Sequence, residues 1–153
     1  MKKILASFAL ALCAAVCAFP QASVNYFPDS LSGTYLASQK GDEFKVSITA
    51  DPDGVYTGRI IWLKDSVNPA TGEKLLDTKN PDKSLRSVPC DQIVLLRGLK
   101  YDSEKKCWNG GKIYDPQRGI NANATLYFEV DGRLCVKGTV GLISEKVYWK
   151  KID

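Results

Sequence analysis

Apolar and polar residues alternate along most of the chain, and this alternation predicts β-strands. In residues 43–50, every second position from Phe44 to Ala50 is apolar, and polar residues lie between them. A period of two indicates a strand with one buried face. The sequence Asp-Pro-Asp-Gly at 51–54 predicts a turn, because proline fixes φ and glycine accepts a left-handed backbone. Residues 55–63 then complete a predicted hairpin.

The same pattern continues to the end of the chain and predicts an all-β domain. Further predicted strands are 33–38, 92–99, 107–114, 123–130, 134–140 and 147–150. Asp131-Gly132 is a strong hairpin signal. No stretch of ten or more residues after residue 22 has a helical period. Eight or nine strands, joined mainly by hairpins in sequential order, favour a single antiparallel up-and-down barrel over a closely related half-open sandwich.

Residues 64–89 interrupt the strand pattern with about 26 residues rich in turn formers. Loops of this length in a compact domain are usually functional or disordered. The apolar residues Leu75, Leu76, Leu85 and Val88 are predicted anchors, so we expect this loop to be packed and ordered. Two interpretations stay open: a lid over a binding site at one mouth of the barrel, or a purely structural Ω-loop.

The first 22 residues have the features of a signal peptide. Lys2 and Lys3 precede an apolar run that ends near Ala18, and this run is too short to span a bilayer. Cleavage after Ala18 or Ala22 leaves one domain, described as 23–153. We therefore expect an exported protein, periplasmic or secreted, whose mature chain has no membrane span.

Neither a lipid anchor nor nucleic-acid binding is expected. Cys13 follows leucine and Cys17 follows valine, and both are poor residues before a lipid-modified cysteine. Loss of Lys2 and Lys3 leaves 19 basic and 17 acidic residues in the mature chain, a net charge of about +2. A nucleic-acid-binding domain is typically far more basic, with its charge concentrated in a stripe.

The absence of histidine limits the chemistry of the chain. Ser-His-Asp and Cys-His catalysis and the usual zinc sites all depend on imidazole. The chain also lacks a Cys-x-x-Cys motif. We expect no cofactor, no metal and no enzymatic activity. Carboxylate pairs remain as the enzymatic alternative, although turn roles are favoured for those beside proline. The candidate carboxylates are Asp77, Asp82, Asp91 and Asp115.

The mature chain contains three cysteines, and an oxidising compartment permits one disulfide among them. Three pairings are open, and Cys90 with Cys107 is favoured over either pairing of Cys135. The remaining thiol is expected to pack as a small buried hydrophobe.

Several polar and aromatic residues are candidates for ligand binding. Arg86 follows Asp77 within the long loop, and a structural ion pair between them is favoured over a shared ligand role. Small barrels either fill with side chains or hold one small ligand, so some aromatic residues must line the interior. The candidate ligand-binding residues are Trp62, Asp77, Arg86, Trp108 and Tyr114.

Four short motifs resemble a known family. They are Gly-Thr-Tyr at 33–35, Gly-x-x-x-Gly-Arg-Ile-x-Trp at 54–62, Asn-Pro-Asp-Lys-Ser-Leu-Arg at 80–86 and Trp-Asn-Gly-Gly-Lys-Ile-Tyr-Asp-Pro at 108–116. The chain is similar to the small exported bacterial proteins of domain of unknown function 2147. This resemblance implies a lipocalin-like antiparallel barrel, and it carries no established activity.

Taken together, these features predict non-enzymatic binding of a small apolar or amphipathic ligand inside the barrel. The main alternative is a filled barrel that serves as an envelope-associated structural or interaction module. In that case polar residues such as Arg59, Arg97 and Lys112 would meet an envelope protein or polysaccharide. The sequence assigns no oligomeric state.

Overall fold

The computed structural model describes residues 26–153. Eight antiparallel strands form a closed up-and-down barrel in sequential order, which confirms the predicted fold. The strands are β1 Gly33–Gln39, β2 Asp42–Ala50, β3 Tyr56–Leu63, β4 Val94–Asp102, β5 Cys107–Asp115, β6 Ile120–Phe128, β7 Leu134–Val140 and β8 Ile143–Lys151. The barrel closes where Tyr35 of β1 lies opposite Lys151 of β8.

The predicted signal peptide, residues 1–22, lies outside the described residues. Within the described range, no helix is long and apolar enough to cross a membrane. The helical elements in that range are three short 3₁₀ turns: Pro28–Leu31, Lys83–Leu85 and Cys90–Gln92.

The segment before β1 closes one end of the barrel, which we call the closed end. Its main chain accepts hydrogen bonds from three tyrosine hydroxyls, which extend from the barrel interior toward this segment. Tyr35 donates to Leu31 O (2.8 Å), Tyr56 to Pro28 O (2.7 Å) and Tyr101 to Tyr26 O (3.0 Å). Leu31 is fully buried. These bonds satisfy hydroxyls that would otherwise be buried without a partner. They also hold residues 26–31, which we call the plug, in place.

An aromatic cluster fills the barrel next to this plug. The Trp108 ring is completely buried, and its centroid lies 5.0 Å from that of Tyr101 and 5.7 Å from that of Phe128. Tyr56 contacts the same indole edge-on at 6.3 Å, and Tyr26 of the plug stacks on Phe128 at 4.3 Å. Such tilted and edge-to-face arrangements are favourable for aromatic pairs. The half of the barrel near the closed end is therefore packed.

A β-bulge in β3 reverses which residues face the interior. Lys45 of β2 lies opposite Trp62, whereas the next residue, Val46, lies opposite Ile60, so Ile61 is an extra residue. A bulge places two residues against one and interrupts the alternation of faces. Ile60 is buried, Ile61 and Trp62 are exposed, and the side chain of Leu63 lines the interior.

The long loop between β3 and β4, residues 64–89, is held by hydrogen bonds rather than by the predicted apolar packing. Of the four apolar residues, Val88 packs against the core, whereas Leu75, Leu76 and Leu85 are exposed. The middle of the loop, residues 75–77, pairs with residues 88–90 through backbone hydrogen bonds from Cys90 N to Leu75 O (2.8 Å) and from Asp77 N to Val88 O (2.9 Å). Asp82 caps a short 3₁₀ turn within it by accepting from Ser84 N. Its backbone groups are thus bonded locally, as a loop outside a sheet requires.

Candidate functional site

The half of the barrel opposite the closed end contains a cavity of about 580 Å³. It opens among the β1–β2, β5–β6 and β7–β8 turns, and we call this side the open end. The volume lies in the range typical of small-molecule sites, about 300–1,000 Å³. Its inner wall is mainly apolar and includes Phe44, Leu63, Leu95, Val136, Val147 and Trp149.

Small side chains on β6 and β7 create this space. Ala122 and Gly138 both line the cavity. Farther along β6, the inward positions are occupied by Leu126, which is fully buried, and by Phe128, which joins the aromatic cluster. The space thus lies where alanine and glycine stand at inward positions between larger residues, with Ile120 and Val140 nearer the open end and Leu126 and Phe128 nearer the closed end. This run of small inward residues is the sequence signal that could have located the cavity.

Polar residues surround the open end, and one arginine pairs with two carboxylates there. Arg118 donates from Nε to Asp115 Oδ2 (2.6 Å) and from both terminal nitrogens to Glu145 (3.2 and 2.6 Å). Burial opposes ionisation of Asp115, but the hydrogen bonds from Arg118 outweigh it and hold the pKa of Asp115 below its usual value. Hydrogen bonding to Arg118 also lowers the pKa of Glu145.

The β5–β6 turn connects this rim to its neighbours. Gln117 Nε2 donates to Asp42 Oδ2 at 2.6 Å, and Lys79 Nζ from the long loop donates to Gln117 O at 2.8 Å. The loop main chain passes so close to Gly119 that an added Cβ would lie 2.3 Å from Lys79 O. Gly119 has φ +68°, so glycine is required there for both conformation and space.

Asp77 anchors the long loop to the barrel. Its carboxylate, 3% exposed, accepts from the Tyr114 hydroxyl (2.6 Å) and from Asn80 Nδ2 (2.6 Å). Arg86 donates instead to the carbonyl oxygen of Asn80 at 2.7 Å. The prediction of an Asp77–Arg86 ion pair was therefore wrong. The Asp77 carboxylate already accepts hydrogen bonds from Tyr114 and Asn80, and Asn80 lies between the two side chains.

The five candidate residues do not converge. Tyr114 lines the cavity, Asp77 lies behind it, and Arg86 is exposed on the loop. Trp62 is 41% exposed on the outer surface, where Lys45 Nζ lies 5.3 Å from its ring centroid. Trp108 belongs to the aromatic cluster at the closed end and does not line the cavity. The β3 bulge explains the position of Trp62.

All three cysteines of the described chain are free thiols, so the favoured Cys90–Cys107 disulfide is absent. Cys90 lies just before β4 on the cavity side, whereas Cys107 begins β5 opposite Asp102, the last residue of β4. The two thiols are thus separated by about the length of a nine-residue strand, far beyond disulfide distance. Across residues 26–153, no group of three or more Cys, Asp or Glu side chains is placed to hold a metal ion.

In the native protein we expect a maleimide to label Cys90 before Cys107 and Cys135. Cys90 is half-buried at the cavity wall, whereas the other two thiols are buried. Burial raises the pKa of Cys90, and Asp77 and Asp91 raise it further, so labelling accelerates as the pH is raised. Peptide mapping by mass spectrometry measures each rate. Equal rates at Cys90 and Cys135 in folded protein would contradict the assignment of the accessible wall.

Comparison with known proteins places this architecture among bacterial proteins without an assigned activity. A family model described as "Uncharacterized protein conserved in bacteria (DUF2147)" matches residues 33–151, which span all eight strands. A solved structure, protein HP1028 from Helicobacter pylori, is described as belonging to the lipocalin family. It aligns with a TM-score of 0.65 and 21% identity, covering 80% of this chain and 83% of that one. Among curated proteins, none matches this chain.

Proposed function

The chain belongs to the DUF2147 family of uncharacterized bacterial proteins, and we propose that its barrel binds a small apolar or amphipathic molecule without catalysing a reaction. The observation that carries this proposal is the apolar cavity of about 580 Å³, open at one end. Apolar ligands gain free energy from leaving water for such a wall. The lipocalin-like fold supports the proposal by analogy alone.

The contrast between the two halves of the barrel favours a binding role over a filled structural module. The closed half is packed around Trp108, and Tyr35, Tyr56 and Tyr101 hold its plug. Those interactions stabilise the fold without the open half being filled. Small side chains at Ala122 and Gly138 then leave a cavity that a structural role does not require.

The candidate carboxylates are all engaged in structural hydrogen bonds, which supports a non-enzymatic role. Asp77 is bonded to Tyr114 and Asn80. Asp91 pairs with Lys74 at 2.6 Å. As predicted for turn residues, Asp82 accepts from Ser84 N, and Asp115 accepts from the backbone at residues 117 and 118. An acid–base pair for glycoside hydrolysis needs two carboxyl groups facing one substrate bond.

In this proposal the barrel binds its ligand outside the cytoplasm. The basic start, the short apolar run and the small residues near Ala18 and Ala22 are the sequence features that support export. A binding protein in the periplasm or outside the cell would hold apolar molecules that are poorly soluble in water.

Substitution of Ala122 by tryptophan tests the proposal, because the large ring fills the cavity. We expect Ala122→Trp to weaken binding of the neutral probe N-phenyl-1-naphthylamine by about tenfold or more. Asn121→Trp is the matched control, since the adjacent side chain of β6 is exposed and does not line the cavity. Probe fluorescence measures affinity, and circular dichroism with thermal melting checks that both variants fold.

Two outcomes would count against the binding proposal. Absence of probe binding to the unaltered protein would leave the apolar cavity without a ligand. Equal binding by Ala122→Trp and Asn121→Trp would place the probe elsewhere on the surface. A loss confined to Ala122→Trp supports binding in the cavity.

A further inference from the structure

We propose that the cavity selects single-chain amphiphiles with a cationic head group over those with an anionic one. This inference rests on the proposed binding function and adds the charge of the ligand. In the bound state the hydrocarbon chain occupies the apolar wall and the head group lies at the open end. The argument depends on the charged side chains that line the cavity and on their partners.

The charged residues that line the cavity are predominantly acidic. Four are carboxylates: Asp42, Asp65, Asp115 and Glu145. The one cationic side chain among the lining residues is Arg118. The cavity lining therefore carries a formal charge of −3, although the whole chain has a net charge of +4.

The positive charge of Arg118 is neutralised by its ion pairs with Asp115 and Glu145. Its guanidinium is bonded to Asp115 and Glu145 together, so no donor set is left to receive a ligand carboxylate in bidentate fashion. Hydrogen bonding to both carboxylates also raises the pKa of Arg118, which keeps this network fully ionised. The arginine at the mouth is thus a structural clamp and does not provide an anion site.

Asp42 and Asp65 carry the negative charge of the cavity lining that Arg118 does not offset. Asp42 is half-buried and accepts from the neutral amide of Gln117, so its charge is not neutralised by that bond. Within residues 26–153, neither Asp42 nor Asp65 forms an ion pair. Both line the cavity, and with no cation paired to them both are placed to attract an ammonium group.

Two lysines lie near the rim, and neither lines the cavity. Lys79 Nζ is bonded to the backbone oxygen of Gln117. Lys40 lies close enough to lower the pKa of Glu145 by its charge, but it does not line the cavity. An anionic head group at the mouth would therefore face two unpaired carboxylates, with neither ammonium group among the lining residues. Like-charge juxtaposition of this kind is a recognised source of ligand discrimination.

The experiment compares three ligands that share one chain length: dodecyltrimethylammonium, dodecanol and dodecanoate. Each displaces N-phenyl-1-naphthylamine at submicellar concentration and low salt, near neutral pH. We expect dodecyltrimethylammonium to displace the probe at about one tenth of the dodecanoate concentration, with dodecanol in between. Because the mouth is partly exposed, the preference should shrink as salt is added.

Neutralising the rim tests whether these carboxylates cause the preference. In Asp42→Asn/Asp65→Asn, the ratio of dodecanoate to dodecyltrimethylammonium concentrations that displace the probe is expected to fall by several-fold, each measured against the variant's own probe affinity. Glu104→Gln is the matched control, because it removes one charge from the exposed β4–β5 turn at the closed end. This control should retain the full preference.

The outcomes separate this inference from the proposed function. Probe binding that all three ligands displace equally, or that dodecanoate displaces best, overturns the charge preference and leaves the binding function standing. A cation preference that survives in Asp42→Asn/Asp65→Asn also overturns it, because the rim would not be the cause. Failure of the probe to bind the unaltered protein removes the binding function itself.

Discussion

Replacing Trp108 with alanine is expected to lower the free energy of unfolding by about 3–5 kcal/mol, the range found for large aromatic residues in protein cores. The indole is fully buried and contacts the rings of Tyr56, Tyr101 and Phe128. Its removal leaves a void beside the plug of residues 26–31 that the rigid barrel cannot collapse to fill. Urea unfolding monitored by circular dichroism measures the loss.

Trp62→Ala is the matched control for this experiment. The Trp62 indole is 41% exposed and has a cation–π contact with Lys45. Its removal is therefore expected to lower the free energy of unfolding by about 1 kcal/mol or less. The two tryptophans were equal candidates for ligand binding on sequence grounds. A loss of similar size in both variants would contradict the assignment of Trp108 to the core and of Trp62 to the surface.

These two residues show where pattern analysis reaches its limit. Alternation from Tyr56 through Ile60 assigns Trp62 to the interior, because all of these positions have the same parity. The extra residue at Ile61 reverses the parity, so that Leu63 lines the cavity in its place. A bulge depends on the pairing of two strands and has no reliable signal in one of them. The strands were predictable, but their inward faces were not fully so.

The loop and the plug illustrate the same distinction between local and long-range information. The prediction of an ordered loop at residues 64–89 rested on four apolar residues, but three of them are exposed, and local hydrogen bonds hold the loop instead. The partner of Asp77 was not predictable, since Tyr114 is 37 residues away and meets it through barrel closure. Nor did the sequence indicate that residues 26–31 plug the closed end through three tyrosine hydroxyls.

Removal of the Asp77 carboxylate is expected to be the second most damaging change. Asp77→Ala leaves the buried Tyr114 hydroxyl and the Asn80 side-chain amide without their acceptor. Each unsatisfied buried group costs about 1–3 kcal/mol, so we expect a total loss of about 2–6 kcal/mol. Asp82→Ala is the control within the same loop. It removes an exposed cap, so the expected loss is smaller than that of Asp77→Ala.

Asp77→Ala is also expected to alter the cavity, because the loop that it releases contributes Asp65 and Leu75 to the cavity wall. We expect Cys90 to react faster with a maleimide in Asp77→Ala than in Asp82→Ala. Urea unfolding and peptide mapping give the two readouts. If Asp77→Ala were no more destabilising than Asp82→Ala, the carboxylate would not be the anchor of the loop.

The pH dependence of stability provides a second test of the same bond. Burial raises the pKa of Tyr114 above its usual value of about 10, and the hydrogen bond to Asp77 and its charge raise it further. The unfolded chain therefore loses this proton first. The contribution of Tyr114 to stability is constant below about pH 10 and falls above it, by about 1.4 kcal/mol per pH unit for each such group. Burial raises the pKa of Tyr35 in the same direction.

Tyr114→Phe isolates the contribution of Tyr114 to this alkaline decline. The variant loses the hydroxyl that Asp77 accepts from, so it is less stable at neutral pH, but it has no proton to lose above pH 10. Its stability should therefore fall less steeply with pH than that of the unaltered protein, with Tyr35 still contributing. An unchanged slope in Tyr114→Phe would mean that Tyr114 is not held protonated at the base of the loop.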